Sequence, residues 1–187
     1  MAEMNPISRW FVNVGNARRS AQIVNALAGH WNPPPGARLL ELGAGRGGLS
    51  ALLQERYRPG RLVVTDFDSA QVEAARAFLS LRFGQLPPTI EVREVDAREL
   101  PFEDRSFDAV FAINMLHHVE TDFSVYEQRP GVLRQIRRVL APSGSLVFKD
   151  FSRTVDLRRT LAELGFVPTF ERPGWFGRYF GVFRAPS

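Results

Sequence analysis

At 187 residues, with 44% hydrophobic and 24% charged side chains, the chain can bury a sizeable core and has the balance of an ordinary globular protein. It has no cysteine, which excludes disulfides, thiolate metal sites and a cysteine nucleophile, and its three histidines (His30, His117, His118) are too few for a histidine-rich metal site, so no metal is expected. The formal net charge is +4 and every basic residue except Lys149 is arginine; nucleic acid is compatible with that charge but is not favoured, because no Lys/Arg-rich tail marks a tether.

No run of about 18 apolar residues occurs, so no transmembrane segment is expected. Met1 to Pro6 lacks a basic region followed by an apolar core, so no secretory signal is read and a cytoplasmic location is expected. Ile7 to Trp31 reads as helical, in one piece or two, with Asn16 as an N-cap and Ile23, Val24, Leu27, Ala28 and Trp31 as an apolar stripe. Trp10, Phe11, Val12 and Val14 cluster near Arg9, Arg18 and Arg19. The favoured reading is a helical cap over the core or a cleft; a lid over a substrate pocket or a membrane-surface patch are the sharper alternatives.

After Pro33-Pro34-Pro35 comes the stretch on which the rest is organised. Arg38 to Leu42 reads as a short buried strand, Gly43 to Gly47 as a glycine turn, and Gly48 to Tyr57 as a helix with Leu49, Leu52 and Leu53 on one face. Glycines in such a turn let the backbone approach a ligand, and the helix start offers unpaired N–H groups. Gly43, Gly45 and Gly48 satisfy the dinucleotide fingerprint G-x-G-x-x-G, whereas Glu41, Gly43, Gly45 and Gly47 satisfy E-x-G-x-G-x-G. The turn alone leaves both ligand classes open.

A second buried strand, Arg61 to Asp66, ends in an acid. Phe67 follows, then Asp68 and Ser69 as caps, then a helix from Ala70 to about Arg82 with Val72, Ala75, Phe78 and Leu79 inward. Thr89 to Val95 alternates apolar and polar as a strand and again ends in an acid, Asp96. Phe107 to Ile113 is the most apolar run and reads as a central strand opening into Asn114. Thr121 to Pro130 is irregular. Val132 to Leu140 is an amphipathic helix with Arg134, Arg137 and Arg138 more exposed, stopped by Pro142-Ser143-Gly144. Ser145 to Phe151 is a fifth strand, Val155 to Leu164 a helix closed by Gly165, and Phe166 to Glu171 with Arg178 to Arg184 an antiparallel hairpin.

Strands and helices alternate five times, which predicts an α/β fold with a Rossmann-like doubly wound, mostly parallel sheet; with the C-terminal antiparallel hairpin it has seven strands in an α/β/α sandwich. One domain over 1–187 is expected, with 1–36 as an N-terminal helical cap and 37–187 as the core. Ligands of such sheets bind outside the carboxyl ends of the strands, where Glu41, Gly43, Asp66, Asp96, Asn114 and Asp150 fall.

At this point the motifs resemble those of the class I S-adenosylmethionine-dependent methyltransferases over roughly residues 37 to 184. The E-x-G-x-G-x-G turn is similar to that family's first motif, Val95-Asp96-Ala97-Arg98-Glu99-Leu100-Pro101-Phe102 to its segment after strand three, and Arg138 to Leu146 to its passage into strand five. The terminal hairpin resembles its sixth and seventh strands. The resemblance implies S-adenosylmethionine as cofactor and S-adenosylhomocysteine as product. It places Asp66 on the ribose hydroxyls, Phe67 and Asp96 with the Ala97 N–H against adenine, and Glu41, Gly43, Ala44, Gly45 and Asn114 around the rest. Plain alternatives stand beside these roles: Asp66 and Asp96 as turn caps, Phe67 as core, Arg46 as a solvated charge.

Methyl transfer from such a cofactor needs the acceptor held in line and needs a base only if the acceptor loses a proton. No catalytic residue is assigned; His117 and His118 are weak candidates, one of them also readable as structural. The segment Asn114-Met115-Leu116-His117 departs from the pattern of enzymes that methylate exocyclic amines, and the resemblance lies with the small-molecule branch acting on quinones and lipid headgroups. Trp10, Phe11, Phe123 and Tyr126 are candidate pocket residues for an apolar or aromatic small-molecule acceptor. An RNA or protein methyltransferase, a non-catalytic cofactor-binding module and an NAD(P) oxidoreductase are the alternatives. The oligomeric state is not legible.

Overall fold

The computed structural model describes residues 18, 20–116, 129–151, 155–173 and 178–187. β1 (Arg38–Leu42) lies inside a seven-stranded sheet of order β3-β2-β1-β4-β5-β7-β6. Its neighbours β2 (Arg61–Asp66) and β4 (Phe107–Ile113) both run parallel to it, as do β3 (Ile90–Glu94) to β2 and β5 (Leu140–Phe151) to β4. β7 (Arg178–Arg184) is antiparallel to both β5 and β6 (Val167–Pro173). This is the expected Rossmann-like sheet with its terminal antiparallel hairpin.

Alternation along the strands decides which layer each residue joins. Leu39, Leu62, Val64, Phe111 and Val147 face a cluster with α1 (residues 20–27), α2 (Gly48–Tyr57) and α3 (Ser69–Phe83). Leu40, Leu42, Val63, Val110 and Phe148 face the other cluster, with α4 (Arg129–Val139) and α5 (Val155–Glu163). The two clusters make the sandwich. At the amino end of the strands, Arg38 forks the Asp108 carboxylate at 2.7 and 3.1 Å and its N–H donates to the same group at 2.8 Å. That pairing locks β1 to β4 far from the carboxyl ends and holds the Asp108 carboxyl below its ordinary range.

Local signals set most boundaries. The Asp68 side chain accepts from the Ala70 N–H at 2.9 Å and caps α3. After α5 the Phe166 N–H donates to the Leu161 carbonyl and the Gly165 N–H to that of Ala162, the paired bonds of a Schellman ending.

Two expectations are corrected. Phe78 is not inward but exposed: Val72, Ala75 and Leu79 make the buried stripe of α3, and Phe78 lies one residue, about 100°, round the helix from Leu79. β5 starts at Leu140 rather than Ser145. Leu140 pairs with Phe107 and Ser145 with Ala109, so residues 141–144 bulge opposite Asp108, with Ser143 at φ 59°.

Arg138 is more exposed than Leu133, Ile136 and Leu140, as expected, and its guanidinium is bonded on several sides. It donates to the Leu100 and Phe102 carbonyls, both at 2.7 Å, and pairs with Asp104 at 2.8 Å, while the Arg105 N–H donates back to the Arg138 carbonyl. One arginine thus ties the loop after β3 to the end of α4. Arg138→Met keeps the apolar stem and removes the donors; a loss of about 1–2 kcal/mol is expected in chemical denaturation, with faster amide exchange confined to residues 100–105. Unchanged exchange there would contradict the tie.

Candidate functional site

β3, β2, β1 and β4 are adjacent in that order, so their carboxyl ends bring Asp96, Asp66, the glycine turn and Asn114 side by side. β1 is the point at which successive connections leave for opposite sides of the sheet, where open α/β sheets bind ligands. The sequence alone could order these residues along the chain; the topology places them along one edge.

The turn is held by β2. The Ala44 N–H donates to the Thr65 carbonyl at 2.9 Å, and the Gly45 N–H to Oδ2 of Asp66 at 2.8 Å. Thr65 Oγ1 donates to the Glu41 carbonyl at 2.8 Å. Gly43 has φ 64°, and a Cβ built there would lie 2.6 Å from Cβ of Met115, so β4's exit crowds the turn. Gly47, at φ 76°, caps α2 without a side-chain bond and leaves the first N–H groups of that helix directed out of it. Arg46 beside it is exposed.

Asp66 is half-buried, with Oδ1 accepting the Asp68 N–H at 3.1 Å. Each carboxylate oxygen still has a lone pair for a ligand hydroxyl. Phe67 is 65% exposed, which removes its reading as core and places an exposed aromatic ring beside Asp66. Asp96 is half-buried and Ala97 buried. The Asp96 carboxylate accepts the Arg98 N–H at 2.8 Å and the Arg98 guanidinium at 2.6 to 3.0 Å, and these bonds hold it below the ordinary carboxylate range.

Glu41 is 3% exposed and accepts from Ser50 Oγ of α2 at 2.5 Å. Burial pushes its carboxyl up to about 8; the Ser50 bond works the other way and the Asp66 charge adds to the rise. The folded chain therefore keeps a proton on Glu41 that the unfolded chain releases near 4.5. In that window the native state binds more protons, so stability falls as pH rises from about 4.5 through about 8, at most by about 1.4 kcal/mol per pH unit. Glu41→Gln keeps an acceptor for Ser50 but cannot ionise. Its unfolding free energy is expected to fall less than wild type between pH 5 and pH 9 in urea titrations; parallel pH profiles would contradict this.

Asn114 sits at φ 52° with its N–H donating to the Lys149 carbonyl at 2.6 Å. The following turn is held by Asp150, 2% exposed, which accepts the Leu116 N–H at 2.9 Å. The sequence points to Asp150 only as a strand-end acid. It assigns no role to Ser50 or Thr65, whose partners lie 9 and 24 residues away. The Asp-x-Arg spacing of Asp96 and Arg98 is a visible signal for their pairing. Trp10, Phe11, His117, His118, Phe123 and Tyr126 lie outside the described residues, as does Asn16. Among the described residues, no helix is long and apolar enough to cross a membrane and no group of three His, Cys, Asp or Glu side chains could hold a metal.

The donor set fits an adenosyl amino-acid cofactor: a two-oxygen acceptor at the end of β2, an exposed aromatic ring beside it, an acid at the end of β3, and a backbone turn a Cβ would fill.

A family described as "Methyltransferase domain" matches residues 40–148, from β1 into β5. The chain is 36% identical over 116 residues to a demethylmenaquinone methyltransferase of Thermus thermophilus, covering 61% of this chain and 47% of that one. It is 32% identical over 134 residues to a glycine/sarcosine/dimethylglycine N-methyltransferase of Actinopolyspora halophila, covering 72% of this chain and 22% of that one. The chain thus spans less than half the length of either relative. A crystal structure of an S-adenosylmethionine-dependent methyltransferase from Aquifex aeolicus superposes with a TM-score of 0.66 at 16% identity over 88% of both chains, a likeness of fold. Together with the strand-end geometry, the match over more than half its length shows that this chain belongs to the methyltransferase domain family, the class I S-adenosylmethionine-dependent methyltransferases.

Proposed function

We propose that this chain transfers a methyl group from S-adenosylmethionine to a small acceptor, with S-adenosylhomocysteine as the product. One observation carries the reading: Glu41, Asp66, Asp96 and Asn114 converge at the carboxyl ends of four neighbouring strands around a single glycine turn. Asp66 accepts from the ribose diol, because a carboxylate offers two oxygens to two hydroxyls. Phe67 lies against the base, which Asp96 and the Ala97 N–H recognise at its edge. Gly43, Ala44 and Gly45 let the backbone approach the amino-acid portion, with Glu41 and Asn114 on either side of the turn.

When bound, the cofactor supplies the electrophile, a methyl carried on a positively charged sulfonium. The work left to the chain is to hold an acceptor in line and keep water out, which can lower a barrier by about 7–11 kcal/mol in favourable cases. A base is needed only for an acceptor that must lose its proton; His117 and His118, which follow Leu116 in the sequence, are the candidates. Trp10, Phe11, Phe123 and Tyr126 are proposed to line an apolar or aromatic acceptor pocket, with residues 1–36 as its cap and 37–187 as the core. The small acceptors in the names of the Thermus and Actinopolyspora relatives, a quinone precursor and amino-acid amines, support the small-molecule class.

Calorimetric titration with S-adenosylmethionine, S-adenosylhomocysteine and NAD(H) tests the cofactor. Micromolar binding of the first two and none of NAD(H) is expected. Binding of NAD(H) alone would overturn the reading. An acceptor screen then starts from phenols, quinones and amines, read by methyl incorporation.

A further inference from the structure

Arg98 stands two residues beyond Asp96, in the loop after β3. Its Nε donates to both carboxylate oxygens of Asp96 at 2.9 and 3.0 Å, and its Nη2 to one of them at 2.6 Å. Its Cζ lies 5.8 Å from the centroid of the Phe67 ring. One side chain thus bridges the end of β3 to the residue after β2. The bridge is not needed to shape the loop. The Asp96 carboxylate already accepts the Arg98 backbone N–H, and the Glu99 N–H donates to the Asp96 carbonyl at 3.1 Å. Nor does it bury anything: Phe67 and Arg98 are both exposed.

What the bridge does is satisfy the two groups assigned above to the nucleobase. An adenine there would lay its face on Phe67 and donate an amino N–H to Asp96. A guanidinium is planar, carries N–H donors along its edge and stacks on aromatic rings, so it can meet both demands at once. We propose that Arg98 sets cofactor affinity as an internal competitor at the nucleobase subsite: its guanidinium fills the ground between Phe67 and Asp96, and a base binds by displacing it. The inference rests on the S-adenosylmethionine reading. A competitor of this kind weakens cofactor and product alike, and so favours product departure. Its contacts are exposed, and exposed ion pairs and cation–π contacts are individually weak, so the effect is modest.

S-adenosylhomocysteine, which lacks the sulfonium, is the probe, titrated calorimetrically into wild type, R98A and R98K at one salt concentration. R98A is expected to bind about threefold to tenfold more tightly than wild type. R98K keeps the charge but loses the fork and the plane, and is also expected to bind more tightly than wild type. In nitrogen-15-labelled wild type, the Arg98 Nε–H resonance, identified by its loss in R98K, is expected to shift at saturation. Equal or weaker binding by R98A, with wild type binding, would overturn the competitor and make Arg98 a wall of the site. Tightening in R98A with R98K unchanged would assign the effect to charge and overturn it too. Failure of wild type and both variants to bind would overturn the cofactor reading itself, and this inference with it.

Discussion

Asp66→Ala is expected to weaken binding of S-adenosylmethionine and S-adenosylhomocysteine by about 100-fold or more, to the limit of calorimetric detection. Two losses combine. The proposed ribose contacts are hydrogen bonds to a charged group, worth about 1.5–3 kcal/mol each. The same carboxylate also holds the Gly45 N–H at 2.8 Å, so its removal loosens the turn that the amino-acid portion is to meet. Asp66→Asn separates the two. Its amide oxygen can still accept from Gly45, but its NH₂ end donates, so only one ribose acceptor remains. The asparagine variant is therefore expected to bind more weakly than wild type and more tightly than the alanine variant. Thermal denaturation of both variants checks that the fold is intact. Wild-type affinity in a folded Asp66→Ala protein would remove Asp66 from the site.

Gly43→Ala is expected to be the most destabilising single change in the turn. An alanine at φ 64° is held in a left-handed backbone, which costs about 1–2 kcal/mol. Its Cβ would also lie 2.6 Å from Cβ of Met115, an atom fixed by the backbone of a residue only 8% exposed. Overpacking of this kind costs about 1–3 kcal/mol more. For a chain of this length the sum corresponds to a drop in Tm of about 5–15 °C. Gly45→Ala is the matched comparison. It has φ 55°, but the nearest atom to its added Cβ is Gln71 Oε1 at 4.0 Å, so it carries the backbone cost without the clash. Equal Tm values for the two variants would show that β4's exit yields freely and does not confine the turn.

The two variants differ because of Met115, 72 residues away along the chain, and that difference runs through the whole comparison of sequence with structure. β1, α2, β2 and β4 are legible with the ends they have, since alternation, helical spacing and glycine or acid punctuation are local signals that folding leaves undisturbed. The Asp68 cap and the Gly165 ending are legible for the same reason. The start of β5 is not. Pro142-Ser143-Gly144 looks like a terminator, whereas the pairing of Leu140 with Phe107 carries the strand through a bulge that no local signal announces. Hydrophobicity points Phe78 inward, and packing of α3 decides otherwise. The relative exposure of Arg138 is legible, but its bonds to the carbonyls of Leu100 and Phe102 are not.

By itself, then, the sequence determined the order and type of the elements, the parallel class of the sheet and the acids that end its strands. Each of these follows from residue spacing within a dozen positions or from the motifs that resemble a family. Only the tertiary structure decided which acids are neighbours, that Glu41 is buried against Ser50 and keeps its proton to about pH 8, that Asp66 grips the turn, and that Arg98, paired locally with Asp96, also reaches Phe67. These are properties of burial and of contacts between segments. A side chain's desolvation and its partners on other segments exist only once the strands have paired, and the spacing of residues along the chain carries no record of either.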